Sequence, residues 1–146
     1  MLAGQQQEER EQEEERFLAT RFKVDPERLA TQDRSMRLLL LHRRCAACWG
    51  TLIQEPDHGL SIEADEHLEQ IASHCFAASD FIHHELPVME AVFRILVGSG
   101  NQSMVLEDIY QILRERWSDP TNPRTPQPQK LYRTLSADIF YGIVKV

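Results

Sequence analysis

The sequence predicts a mainly α protein, an N-terminal helical layer followed by an α+β half that ends in a short β-strand. Three observations carry this. Apolar residues recur at steps of three and four through most of the chain. Glycine and proline gather between those stretches rather than inside them. The closing segment, IFYGIVKV, is β-branched and aromatic, as strands prefer.

Residues 1–25 form an acidic low-complexity arm. Its core, QQQEEREQEEER at 5–16, has no apolar side chain to bury, so a solvated, frayed helix or a disordered tail is expected. Phe17, Leu18 and Phe22 supply the first apolar anchors. Asp25 and Pro26 then read as the N-cap and first position of a helix.

Residues 26–85 form the helical region. From Ser35 to about Ile53 the apolar positions Leu38, Leu41, Cys45, Cys48 or Trp49, and Leu52 define one face of a single amphipathic helix, with Arg37, Arg43 and Arg44 projecting away from it. QEPDHG at 54–59 ends that helix. A second is expected over about 62–84, where Ala64, Leu68, Ile71, Cys75, Ala78 and Ile82 follow a heptad-like seam. This seam is a candidate surface for a homodimer.

Residues 86–146 change character. VMEAVFRIL (88–96) and LEDIYQILRERW (106–117) are helical, separated by GSGN at 98–101 and a short extended SMV. Four prolines between 120 and 128 demand an extended loop. Thr125 and Pro126 suit the N-cap and first position of a third helix running to about Ser136.

The chain has 146 residues, enough for one compact domain or two small ones sharing a core. Its formal charge is −7 and uneven: residues 1–33 hold nine acids against five bases, whereas 85–146 hold seven of each. No polybasic tract exists, so nonspecific attraction to nucleic acid or anionic membrane is expected to be weak. The longest apolar run, LLLL at 38–41, is far too short to span a bilayer, so no membrane partner is expected. The N-terminus lacks the pattern of a secretory signal, which leads to the expectation of a cytoplasmic protein with reduced thiols.

HRRCAACW at 42–49 raises the question of a metal. Zinc takes four thiolate or imidazole ligands, often beginning with a C-x2-C knuckle. Cys45 and Cys48 have that spacing, and Cys75 with His74, His42 or His58 would complete Cys3His. A knuckle sits in a turn, however, and this pair falls inside a helical apolar pattern. The expectation is therefore that Cys45, Cys48 and Cys75 pack as small hydrophobes and that no cofactor is bound, with zinc as the lesser alternative. His67, His74, His83 and His84 are expected on helix surfaces, partly exposed. No phosphate loop, G-x-S-x-G or H-E-x-x-H is present, and a non-enzymatic protein is expected.

The order helix, glycine turn, extended SMV, helix, loop, helix, strand resembles the winged-helix form of the helix-turn-helix. The resemblance implies that PQPQKLYRTLS at 126–136 is a recognition helix for double-stranded DNA. It also implies that IFYGIVKV begins the wing and pairs with MVL at 104–106. Arg124, Gln127, Gln129, Lys130, Arg133 and Thr134 would then contact the nucleic acid. The function expected from it is a DNA-binding transcriptional regulator or accessory factor. The alternative is a non-enzymatic protein-interaction subunit, an adaptor or dimerisation module.

Overall fold

A computed structural model describes residues 2–118 and 124–146. Pro120 and Pro123 of the expected loop lie outside the described residues.

The Gln-, Glu- and Arg-rich arm is helical. Helix α1 (Leu2–Ala19) is built from residues of high helix propensity and leaves most of its length exposed. Its last turn anchors it: the Phe17 ring lies 4.4 Å from the Tyr132 ring. The next element is a strand that the helical pattern of the sequence did not suggest. In β1 (Arg21–Val24) Phe22 and Val24 point into the core while Arg21 and Lys23 face out. Helix α2 (Pro26–Thr31) starts as expected, with the Asp25 carboxylate accepting the Glu27 N–H at 3.0 Å.

The two long helices expected next are both interrupted. The 35–53 stretch divides into α3 (Met36–Leu41) and α4 (Ala46–Leu52), and Cys45 is in extended backbone with φ −67° and ψ 166°. Nothing local forces the break, since 42–45 holds neither glycine nor proline. Arg43 stabilises it from a distance. Its guanidinium caps the Leu39 carbonyl at the end of α3 and clasps the Glu90 carboxylate with two 2.8 Å hydrogen bonds. Arg43 and Arg44 are thus both half-buried rather than projecting into solvent.

Likewise the 62–84 seam yields only α5 (Ala64–Ser73). It ends at His74, and a single 3-10 turn, Cys75–Ala77, follows. Phe76 of that turn seats on α6 (Val88–Gly98) at Gly98, where a Cβ would come within 2.2 Å of the ring. The seam residues Ile71, Cys75 and Ile82 are buried inside the chain's own core, and α5 packs on α3 and α6. Half of the seam thus serves the chain's own core, while Ala64, Leu68 and Ala78 stay half-buried.

The remaining elements are β2 (Met104–Val105), α7 (Leu106–Arg116), α8 (Pro128–Ser136) and β3 (Ile143–Lys145). Helix α8 begins two residues later than expected: Gln127 takes the N-cap and Pro128 the first turn, in place of Thr125 and Pro126. Strand β3 is only three residues long, because Asp138 gathers the preceding loop. Its buried carboxylate accepts the backbone N–H groups of Phe140, Tyr141 and Ile143 at 2.9–3.1 Å.

The sheet has the order β2-β1-β3, antiparallel throughout. Strand β3 pairs with β1, Val24 opposite Ile143, and not with 104–106 as the resemblance implied. The physical reason is occupancy. Phe22 and Val24 turn into the core and bury fully, and the β1 backbone, with Arg21 opposite Val105 and Phe22 opposite Met104, takes that edge of β2. At the far end of that edge Asn101, in a left-handed turn with φ 56°, continues the pairing through its side chain. Its amide exchanges hydrogen bonds of 2.9 and 2.8 Å with the Val24 backbone.

Candidate metal centre

Because α3 and α4 are separate, Cys45 and Cys48 do not lie in the middle of one long helix. Cys45 occupies the N-cap of α4 and Cys48 follows in its first turn, so the pair sits in the kind of turn that a knuckle requires. The break at His74 performs the same service on the other side, delivering His74 and Cys75 from the end of α5. Cys45 Sγ lies 3.6 Å from Cys48 Sγ, and Cys48 Sγ lies 3.6 Å from Cys75 Sγ. Four sulfurs at the usual zinc–sulfur distance of about 2.3 Å span tetrahedron edges of about 3.8 Å, so each of these two pairs has the spacing of two ligands on one cation. A ring nitrogen of His74 comes within 4.8 Å of the Cys45 and Cys48 sulfurs. Two clefts, of about 360 and 390 Å³, flank His74 and leave it exposed.

The surroundings of the thiols are polar in an instructive way. The Cys45 N–H donates to Cys75 Sγ at 3.2 Å. Arg44 Nη2 donates to Cys48 Sγ at 3.3 Å, and Arg44 Nη1 donates to His67 Nδ1 at 2.9 Å. Hydrogen bonds of this kind stabilise negative charge on sulfur. Burial pushes Cys45 up, but N–H groups of Cys48 and Ala47 and the neighbouring thiols outweigh it, leaving Cys45 below an ordinary cysteine. Cys75, fully buried, is pushed up to about 11 by that burial. A bare thiolate there is costly, and a bound cation removes the cost by neutralising it.

His67 is 0% exposed, correcting the expectation of a surface histidine. An arginine can only donate, so His67 Nδ1 must accept, which places the proton on Nε2 and leaves the ring neutral. Burial first, and then the Arg44 cation, hold this imidazole below the usual histidine range. The Nε2 atom and Arg44 Nε are both buried without a hydrogen-bond partner.

The other residues singled out in the sequence are dispersed. His42 stacks on Trp49, the ring centres 6.2 Å apart, and His58 sits in a turn at φ 56°; neither joins the thiols. On α8, Gln129, Lys130 and Arg133 share an exposed face with Gln127 just ahead, while the Thr134 hydroxyl donates to the Lys130 carbonyl at 2.8 Å. Arg124 is engaged elsewhere, donating to the Leu86 carbonyl at 3.3 Å with its guanidinium 4.7 Å from the Trp117 ring. Arg44 and His67 are the functional candidates that the sequence hid. The only signal was Arg44's place next to Cys45, since the His67 contact joins residues 23 apart.

Among the described residues no helix is long and apolar enough to cross a membrane. No protein-family model matches the chain, and neither do any curated protein or any solved structure.

Proposed function

We propose that the protein is a non-enzymatic, metal-stapled helical module. Cys45, Cys48, Cys75 and His74 hold one divalent, thiophilic cation, and ligand chemistry favours zinc. The observation that carries this reading is the meeting of two helix breaks, which sets Cys48 Sγ 3.6 Å from both Cys45 Sγ and Cys75 Sγ and brings a His74 ring nitrogen within 4.8 Å of the Cys45 and Cys48 sulfurs. Four protein ligands close the coordination sphere, which suits a structural centre rather than a catalytic one. Its work is to join the start of α4 to the end of α5. Metal analysis of the full chain, purified reduced and without chelators, tests the reading. One zinc per chain is expected, falling sharply in Cys48→Ser; a metal-free protein that takes up no added zinc overturns it.

A second reading rests on the exposed face of α8, where Gln129, Lys130 and Arg133 stand opposite the buried Leu131 and Leu135. That face offers two cations and an amide to the phosphates and base edges of double-stranded DNA. Changing Lys130 and Arg133 together to Ala is expected to abolish duplex retention at about 0.1 M salt. Failure of the unaltered chain to hold any duplex sinks this second reading.

A further inference from the structure

Arg44 is the odd charge in this molecule. Its guanidinium is half-buried and its Nε fully so, yet neither ion pair among the described residues includes it. Arg43, its neighbour in sequence, has Glu90. A cation taken out of water without an anion is expensive, and such positions are retained where a countercharge arrives. The two side-chain partners of Arg44 are the neutral His67 imidazole and the Cys48 sulfur. Three cysteine thiolates around a divalent cation, with a neutral imidazole, carry one net negative charge, which one guanidinium balances.

We propose that Arg44 is the built-in counter-ion of the metal centre and that His67 is the positioning residue that aims it. This rests on the Cys3His reading. The guanidinium fork is held at one tine by His67 Nδ1, 2.9 Å away, so that the other tine meets Cys48 Sγ at 3.3 Å. Without an acceptor at His67 the long arginine side chain has no reason to stay inside, because water solvates it better. The pair thus acts on the metal through Cys48, as partners behind metal ligands do elsewhere by orienting a ligand and tuning its donor strength.

The test is a cobalt(II) titration of the full chain, followed by zinc competition. Arg44→Met keeps the volume and removes the charge. It is expected to weaken both metals about 10- to 100-fold. It is also expected to move the sulfur-to-cobalt charge-transfer band to longer wavelength, because a sulfur relieved of its hydrogen bond gives up electron density more readily. Arg44→Lys, which retains the charge, is expected to recover part of the affinity. His67→Leu should act in the same direction as Arg44→Met, and His67→Asn, whose amide oxygen can replace Nδ1, should restore wild-type behaviour. The metal-free Arg44→Met protein is expected to melt no lower than the unaltered one, which separates tuning from damage to the fold. Cobalt binding by Arg44→Met with wild-type affinity and an unmoved band overturns the counter-ion role while leaving the metal centre standing. Absence of cobalt binding by the unaltered chain overturns both.

Discussion

The two halves of the molecule solve the problem of burial differently. From α6 onward the core is apolar and continuous. Val92, Phe93, Ile95, Leu96 and Val97 of α6 meet Leu106, Ile109 and Leu113 of α7 and Leu131 of α8, all with no exposed surface. Between 36 and 77 the helices are short, six residues in α3, seven in α4 and ten in α5. Isolated helices of that length are marginal in water. Their shared core is thin, and where it would continue stand three thiols, a buried histidine and an arginine. A region poor in apolar burial needs a staple, and a bound cation is one of the few that suit reduced thiols.

This contrast is open to direct attack. On the proposed metal centre, the largest effect is expected from a chelator. Backbone amides of 36–77 should lose hydrogen-exchange protection by several kcal/mol, while those of α6 and α7 change little. Uniform loss across both halves, or none, would erase the distinction between them.

Next in size is Glu90→Ala, which strips the anion from Arg43 and Arg94 where α6 meets the α3–α4 break. The side chains of the Arg43–Glu90 pair are only 12% and 15% exposed, so leaving two cations behind is expected to cost about 3 kcal/mol in a denaturant titration. The same change should loosen the metal site, because Arg43 fixes the break that presents Cys45. Asp138→Ala is the matching cut in the apolar half. It orphans the N–H groups of Phe140, Tyr141 and Ile143 and is expected to cost about 2 kcal/mol with metal affinity unchanged. Equal effects of the two substitutions on metal affinity would deny that the halves are separate in this respect.

The smallest effect is one of pH. His67 titrates below the usual histidine range in the folded chain, so near and below pH 6.5 the unfolded chain binds more protons. Its contribution is fully present above the unfolded value and is lost as pH falls through the folded one. Stability of the metal-free protein should therefore rise with pH across that window, and His67→Asn should flatten the slope. An unchanged slope in the variant would show that other groups govern it. Cys75 works in the opposite sense at the alkaline end. Its raised value makes the metal-free fold lose stability as pH climbs from about 9 toward about 11.

Much of the fold was legible because it depends on local rules. Asp25 and Pro26 start α2, GSGN ends α6, and the apolar periods of α6 and α7 are intact in the structure. What failed to read locally failed for a common reason. The seam from Ala64 to Ile82 keeps its helical spacing through a point where the helix stops, since burying Cys75 and Phe76 against α6 outweighs one more turn. The break at 42–45 carries no breaker residue, because the group that stabilises it, Glu90, is 47 residues from Arg43. The candidate site suffered from the same blindness. Cys45, Cys48, Cys75 and His74 were visible as residue types, but the reason for setting them aside, a pair within one long helix, vanished when that helix proved to be two.

A mainly α chain with an acidic leading arm and a closing strand could be read from the residues in order. Those features rest on propensity, periodicity and turn chemistry, which act over a few residues. Contacts between distant residues put β1 at the centre of the sheet, gather Cys45, Cys48 and His74, and bring Cys75 and Arg44 to Cys48. Convergence of that kind depends on which distant surfaces bury each other best, and no local pattern encodes it.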